Sequence, residues 1–158
     1  MNLLLALLLA FVATLAHAER VAGAVAVVID GDTVLFKPDR YAQKSRAFLK
    51  VRLAGIDAPE SDQPGGEAAT RALKALALGR HAHIDTVATD VYGRTVGVLE
   101  IDGASVNAEL VRRGFAWATA WHGVAPLREV AAEARQARRG LWQDAEAIPP
   151  WQWRRGVR

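Results

Sequence analysis

The stretch Phe48-Leu-Lys-Val-Arg-Leu-Ala-Gly-Ile-Asp-Ala-Pro-Glu60 decides how the chain is read. Its first half alternates, with Phe48, Lys50 and Arg52 on one side and Leu49, Val51 and Leu53 on the other. That is the period of two expected of a strand whose faces meet different surroundings, and it puts Arg52 on the polar face. The strand, drawn from Phe48 to Ile56, runs into a carboxylate, a proline-set bend and a second carboxylate: Asp57, Pro59 and Glu60. A turn held by Asx-type hydrogen bonds accounts for Asp57 and Asp62, but it leaves Arg52 and Glu60 unexplained.

Upstream, the Val/Ala/Ile run from Ala22 to Ile29 stops at Asp30-Gly31-Asp32 and resumes from Thr33 to Phe36, which predicts a hairpin. An Asp-Gly-Asp turn by itself also arises for backbone reasons alone. If the Phe48 strand pairs beside this hairpin, Asp32 and Asp57 meet as hard oxygen ligands for a divalent cation, with a carbonyl from the Ala58 bend as a third. Lys37 to Ala47 is polar and predicts a loop. Downstream, Ala69, Ala72, Leu73 and Leu76 lie at helical spacing within Glu67 to Ala77. Strands follow at His81 to Thr89 and Thr95 to Ile101, joined by the turn Asp90-Val-Tyr-Gly93, which throws Arg94 forward. Val106, Leu110 and Val111 mark a short helix stopped by Gly114, and Leu127 to Arg139 forms the last helix, with Gly140 just past its end. Five short strands with two or three helices fit a small closed barrel with appended helices better than a layered parallel sheet.

The chain has 158 residues, room for one domain and not for two. With 51% hydrophobic and 23% charged residues it can bury a core, and with no Cys it excludes a disulfide framework, a thiolate zinc site and a cysteine nucleophile. Of its 20 basic residues 16 are Arg, whose planar fork matches phosphate oxygens bidentately. Nine Arg against four acids lie from Arg112 onward, while Glu19 to Val111 holds eleven bases and thirteen acids. A solvated helix face and a soluble tail explain that asymmetry equally well. Residues 3–16 are an unbroken apolar run ending in Ala16-His17-Ala18, the pattern of an export signal cut after Ala18. The run falls short of the roughly 20 residues a membrane helix needs. The expected organisation is therefore a signal peptide, 1–18, and a single domain, 19–158, working outside the cytoplasm.

The order DGDT, RLAGIDAPE, DVYGR, VNAELVRRGFA and a last helix ending ARRGLW closely resembles the staphylococcal nuclease (thermonuclease) family, from about Val21 to Trp153. The resemblance implies an α+β fold, a five-stranded OB-type β-barrel with three appended α-helices. It implies that Asp32 and Asp57 bind calcium, with the backbone carbonyl of Ala58. It also implies that Arg52 and Arg94 grip the scissile phosphate and that Glu60 is the general base for the attacking water. The implied reaction is endonucleolytic cleavage of DNA and RNA to 3′-phosphate ends. Ligand chemistry agrees, since carboxylate, carbonyl and water without Cys or His suit calcium rather than zinc.

Where the staphylococcal enzyme has two tyrosines beside the bound nucleotide, this chain offers Ala120 and His122, so Tyr92, Trp121 or His122 is the expected stacking platform. Trp117, at i, i+4 from Trp121, reads equally as core. The tail Trp151-Gln-Trp153-Arg-Arg155 is expected to dock on the barrel by its Trp rings, with nucleic-acid contact as the alternative. His81 and His83, Asn107 and Glu67 are read as structural. The expected partner is the nucleic-acid substrate, with no protein partner, no membrane after signal removal, and a monomeric state because no apolar stripe is evident. Two rival classes stand beside the enzyme: a non-catalytic nucleic-acid-binding barrel and an exported interaction domain that has kept the scaffold.

Overall fold

Nine residues, Arg20–Val28 (β1), and Thr33–Pro38 (β2) form the expected antiparallel hairpin, with a bulge between Val25 and Val27. The computed structural model describes residues 19–40, 47–120 and 127–156; the leader lies outside them. Leu49–Leu53 (β3) pairs antiparallel with β2, setting Thr33 opposite Arg52. Val51 and Leu53 point into the core, Lys50 is exposed and Arg52 sits between, as the alternation predicted. The predicted strand is interrupted at Ala54-Gly55, where Gly55 turns with a φ of 73°, and resumes as Ile56–Asp57 (β4).

Two strands have the predicted bounds, His81–Thr89 (β5) and Thr95–Ile101 (β6). The order is β3-β2-β1-β5-β6, and parallel pairing of β3 with β6 closes the barrel. Closure leaves no unpaired edge among these five strands. Ala104–Ser105 (β7) extends β6, and Trp117–Ala118 (β8) pairs with β4. The core is Val25, Val34, Phe36, Val51, Leu53, Ile84 and Leu99, with each large aliphatic side chain worth about 1.5–3 kcal/mol of burial.

The three expected helices are present as Gly66–Ala77 (α1), Val106–Arg112 (α2) and Arg128–Gln136 (α3). Ser105 caps α2 by accepting the Ala108 N–H. Asn107, inside α2 and 1% exposed, donates to Ala54 O and Gly97 O and accepts from the Leu99 N–H, pinning the helix to β6 and to the end of β3. The tail adds a 3₁₀ turn, Gly140–Gln143, and a fourth helix of four residues, Pro150–Trp153 (α4), opened by Pro at its first position. Trp117 is buried and meets Trp142 and Trp151 edge-on, at centroid distances of 5.2 and 6.5 Å, so it is core and the tail is docked.

Candidate active site

Asp32 closes the β1–β2 turn. Gly31 before it is required by packing, because a Cβ there would lie 2.6 Å from Ala58 Cβ and 2.8 Å from Ala69 Cβ. The Asp32 carbonyl accepts the Leu53 N–H at 2.8 Å, which ties the turn to β3 beside Arg52. Asp32 Oδ2 accepts the Ala58 N–H at 2.7 Å and lies 2.8 Å from Arg52 Nη1. Arg52 Nη2 donates to Asp57 Oδ1 at 2.8 Å, and Nη1 also donates to Ile56 O at 3.1 Å. One guanidinium thus bridges two buried carboxylates. Asp57 is held on β4, opposite Trp117. Burial pushes the Asp32 carboxyl up to about 7, against the pull of the adjacent Arg52.

Arg94 is aimed by its own turn. Asp90 accepts the backbone N–H groups of Tyr92 and Arg94 and, at 2.7 Å, the Arg94 Nε–H. Burial works to raise the Asp90 carboxyl, but the hydrogen bonds from Arg94 and Tyr92 together hold it below the ordinary range. Tyr92 is 82% exposed, with the Arg94 guanidinium 5.5 Å from its ring centre.

Glu60 sits on the bend after β4, where its N–H donates to Gln63 Oε1 and α1 begins against its carbonyl. A Cβ at Gly66 would lie 1.9 Å from Glu60 O, so only glycine permits that approach. The carboxylate of Glu60, 38% exposed, meets Arg154 Nη1 at 2.5 Å. Arg154 also donates from Nη2 to Asp57 Oδ2 at 2.7 Å, and its bonds to Asp57 and then Glu60 push its pKa above the ordinary arginine value despite partial desolvation.

Asp32, Arg52, Asp57, Ala58, Glu60 and Arg94, spread over 63 positions of chain, all line one cavity of about 440 Å³, with Tyr92 and Arg154 at its wall. A second cavity, about 520 Å³, lies behind the tail against Phe115, Trp117 and Leu141; it is mainly apolar and none of these charged groups lines it. Trp121 and His122 lie outside the described residues. Among the described residues no three His, Cys, Asp or Glu side chains gather as a metal-holding group, and His81 places Nε2 on Asp39 at 2.8 Å. The pair Asp32 and Asp57 nonetheless fits a hard cation: both are oxygen donors, both are buried, and Asp32 carries a charge that burial disfavours unless positive charge stands beside it. Ala58 presents its N–H to Asp32, so the bend expected to offer a carbonyl is anchored directly to the first carboxylate.

Comparison with known proteins decides the family, since residues 50–144 match the model of the staphylococcal nuclease homologues. The chain belongs to the staphylococcal nuclease homologue family. It is similar to Protein ParB of Escherichia coli, 40% identical over 162 residues covering 95% of this chain and 88% of the relative. It is 40% identical over 134 residues to an uncharacterized endonuclease of Escherichia coli O157:H7, covering 84% of each. A micrococcal nuclease of Shigella flexneri is 38% identical over 145 residues, covering 84% of this chain and 80% of the relative. The closed barrel with its helices is the staphylococcal nuclease-like OB-type arrangement expected from the motifs.

Two residues of this staphylococcal nuclease-like site escaped the sequence reading. Asp90 lies within the DVYGR motif but carries no role in the motif reading; an Asp three residues before a turn glycine is the signal, since its carboxylate collects the turn's N–H groups. Arg154 belongs to the tail expected to dock on the barrel or touch nucleic acid, and nothing in its neighbourhood marks it as a partner of Asp57 and Glu60. It lies 97 positions from Asp57 and reaches it only because the tail folds back.

Proposed function

We propose that the chain is an exported, calcium-dependent endonuclease that hydrolyses phosphodiester bonds of DNA and/or RNA, leaving 3′-phosphate ends. The observation that carries the reading is the convergence of two buried carboxylates, two forked guanidiniums and a more exposed carboxylate on one 440 Å³ cavity. The nuclease names of the relatives point the same way. Export rests on the apolar run 3–16 and the Ala16-His17-Ala18 site.

Asp32, Asp57 and the Ala58 carbonyl would hold the cation. A bound dication supplies positive charge against the phosphate's non-bridging oxygens. Arg52, from β3, and Arg94, from the β5–β6 turn, approach the cavity from different sides and bind those same oxygens, favouring the charge that builds as phosphorus becomes five-coordinate. Glu60, on its bend at the cavity edge, takes the proton of the attacking water. The water oxygen bonds to phosphorus, the P–O5′ bond breaks, the departing O5′ takes a proton from solvent, and the strand parts into one fragment ending in a 3′-phosphate and one beginning with a 5′-hydroxyl. General-base help of this kind is worth about 10²–10⁴ in rate. Tyr92 offers its exposed ring to a neighbouring base, and Trp121 and His122 are further candidates for that platform.

Incubating the purified chain with plasmid DNA, single-stranded DNA and RNA, with calcium and then with chelator, tests the reading. Calcium-dependent degradation with 3′-phosphate ends is expected. A mobility shift without degradation would select the binding barrel instead, and neither effect would select a scaffold domain.

A further inference from the structure

We propose that Arg154, the residue that caps the C-terminal end of helix α4, is a positioning residue of the phosphodiester site that ties Glu60 to Asp57 and yields its hold on Asp57 to the arriving cation. The proposal rests on the nuclease reading above and assigns a task to a residue outside the motif set.

The geometry is that of a fork spanning two carboxylates. Nη2 reaches Asp57 Oδ2 at 2.7 Å, while Nη1 reaches Glu60 Oε1 at 2.5 Å and Asp57 Oδ1 at 3.3 Å. A planar guanidinium fixes the separation and orientation of two such groups, which an ammonium on a flexible stem does not. Among the described residues no other side chain bonds the Glu60 carboxylate, so its aim depends on this tie.

The tail that carries Arg154 is braced to the same bend that carries Glu60. The buried Gln63 accepts the Glu60 N–H on Oε1 and donates from Nε2 to Ile148 O at 2.6 Å. Trp153 donates its indole N–H to Asp62 at 3.1 Å, and Trp151 packs on Trp117. Tail and bend are thus joined on both sides of the guanidinium, so Arg154 is set in place before substrate arrives.

Asp57 is shared by two guanidiniums of unequal freedom. Arg52, 19% exposed, is held within the barrel wall by the Ile56 and Leu53 carbonyls, whereas Arg154, 48% exposed, hangs from a four-residue helix. A cation binding at Asp57 therefore competes with Arg154, which keeps Glu60 while releasing Asp57.

The test uses the full chain and the variants Arg154→Ala, Arg154→Lys and Arg155→Ala, the last as an equal loss of charge beside the site. Calcium is titrated calorimetrically without substrate, and kcat and KM are measured on single-stranded DNA at saturating calcium. R154A is expected to bind calcium about 3–10-fold tighter, because a competing cation has left Asp57. Its kcat is expected to fall about 10–100-fold with KM within about twofold, part of the general-base contribution being lost with Glu60 misaimed. R154K is expected at least about fivefold below wild type in kcat, having kept the charge without the fork. R155A should match wild type in both readings. Calcium affinity in R154A that is unchanged or weaker, or a kcat within twofold of wild type, would overturn the proposal. If R154A does not melt cooperatively, R154K decides, and a kcat within twofold of wild type there overturns it equally. A wild-type chain that binds calcium but cleaves nothing refutes the nuclease reading instead, and the calcium comparison still judges Arg154.

Discussion

The Asp32 carboxylate accepts the backbone N–H of Ala58 at 2.7 Å across 26 positions of chain. This bond clamps the hairpin turn onto the bend after β4, and with Arg52 it makes the two carboxylate segments a single rigid unit. The same closeness buries Asp32 and leaves its negative charge in an unfavourable place.

Asp32→Asn should therefore stabilise the metal-free protein at alkaline pH. The Asp32 carboxyl is raised from 3.8 to about 7, so the folded state prefers the protonated form. Below about pH 4 the group is neutral folded and unfolded and costs nothing; from there to pH 7 the cost of ionising it in the fold grows, to something on the order of 4 kcal/mol above pH 7. The melting-temperature advantage of D32N over wild type, both in chelator, should be largest at pH 8 and shrink toward pH 4.5. An advantage that does not change with pH would contradict this account. Calcium should raise the melting temperature of wild type and not of D32N.

Arg52→Ala and Arg94→Ala should both nearly silence cleavage, by about 10²–10³ each for a lost preorganised donor. Their effects on stability should differ. Arg52 bridges Asp32 and Asp57, so its removal leaves Asp32 without its guanidinium partner and Asp57 with Arg154 alone; at about pH 8 in chelator this should cost about 3–5 kcal/mol, with calcium recovering part. Arg94 leaves behind an Asp90 still bonded to two backbone N–H groups, and R94A should melt close to wild type. Calorimetric melts of both variants with and without calcium check the contrast, which fails if R94A is as unstable as R52A.

Asn107→Ala removes three buried hydrogen bonds while keeping the helix. Ala54 O and the Leu99 N–H lose the amide as a partner, at about 1–3 kcal/mol for a buried group left unpaired, while Gly97 O keeps the Ala54 N–H. Urea denaturation should put the total above about 2 kcal/mol; a loss below about 0.5 kcal/mol would mean that the amide does not hold α2 to the barrel.

Gly31→Ala adds one methyl where Ala58 and Ala69 already crowd the backbone. A cost of about 1–3 kcal/mol is expected for such overpacking. Because the displaced turn carries Asp32, the variant should also bind calcium more weakly than wild type. Normal calcium affinity together with reduced stability would show that the crowding is relieved away from Asp32.

Much of the barrel was legible locally. β5 and β6 were bounded correctly because each is an uninterrupted run closed by turn residues, and the alternation of Lys50, Val51, Arg52 and Leu53 matched their burial residue by residue. The break at Gly55 was not legible, since the turn there is stabilised by the Ala54 N–H bonding to Gly97 O on a distant strand. The last expected helix, α3, ends at Gln136, three residues short of the expected Arg139: Ala137, Arg138 and Arg139 have helical propensity but leave the helix. In the fold the chain turns at Arg138, φ 48°, and Arg139 donates to the Arg112 carbonyl instead.

The motifs themselves determined the family, the candidate carboxylates and arginines, and a closed barrel with helices outside it. These are properties of residue type and short spacing, carried by the pattern of side chains along a few turns of chain. Which cation neutralises which carboxylate was decided only in three dimensions. Arg154 reaches Asp57 and Glu60, and Gln63 joins the tail to the bend, through contacts between segments more than 80 positions apart, and long-range packing leaves no mark on the local sequence.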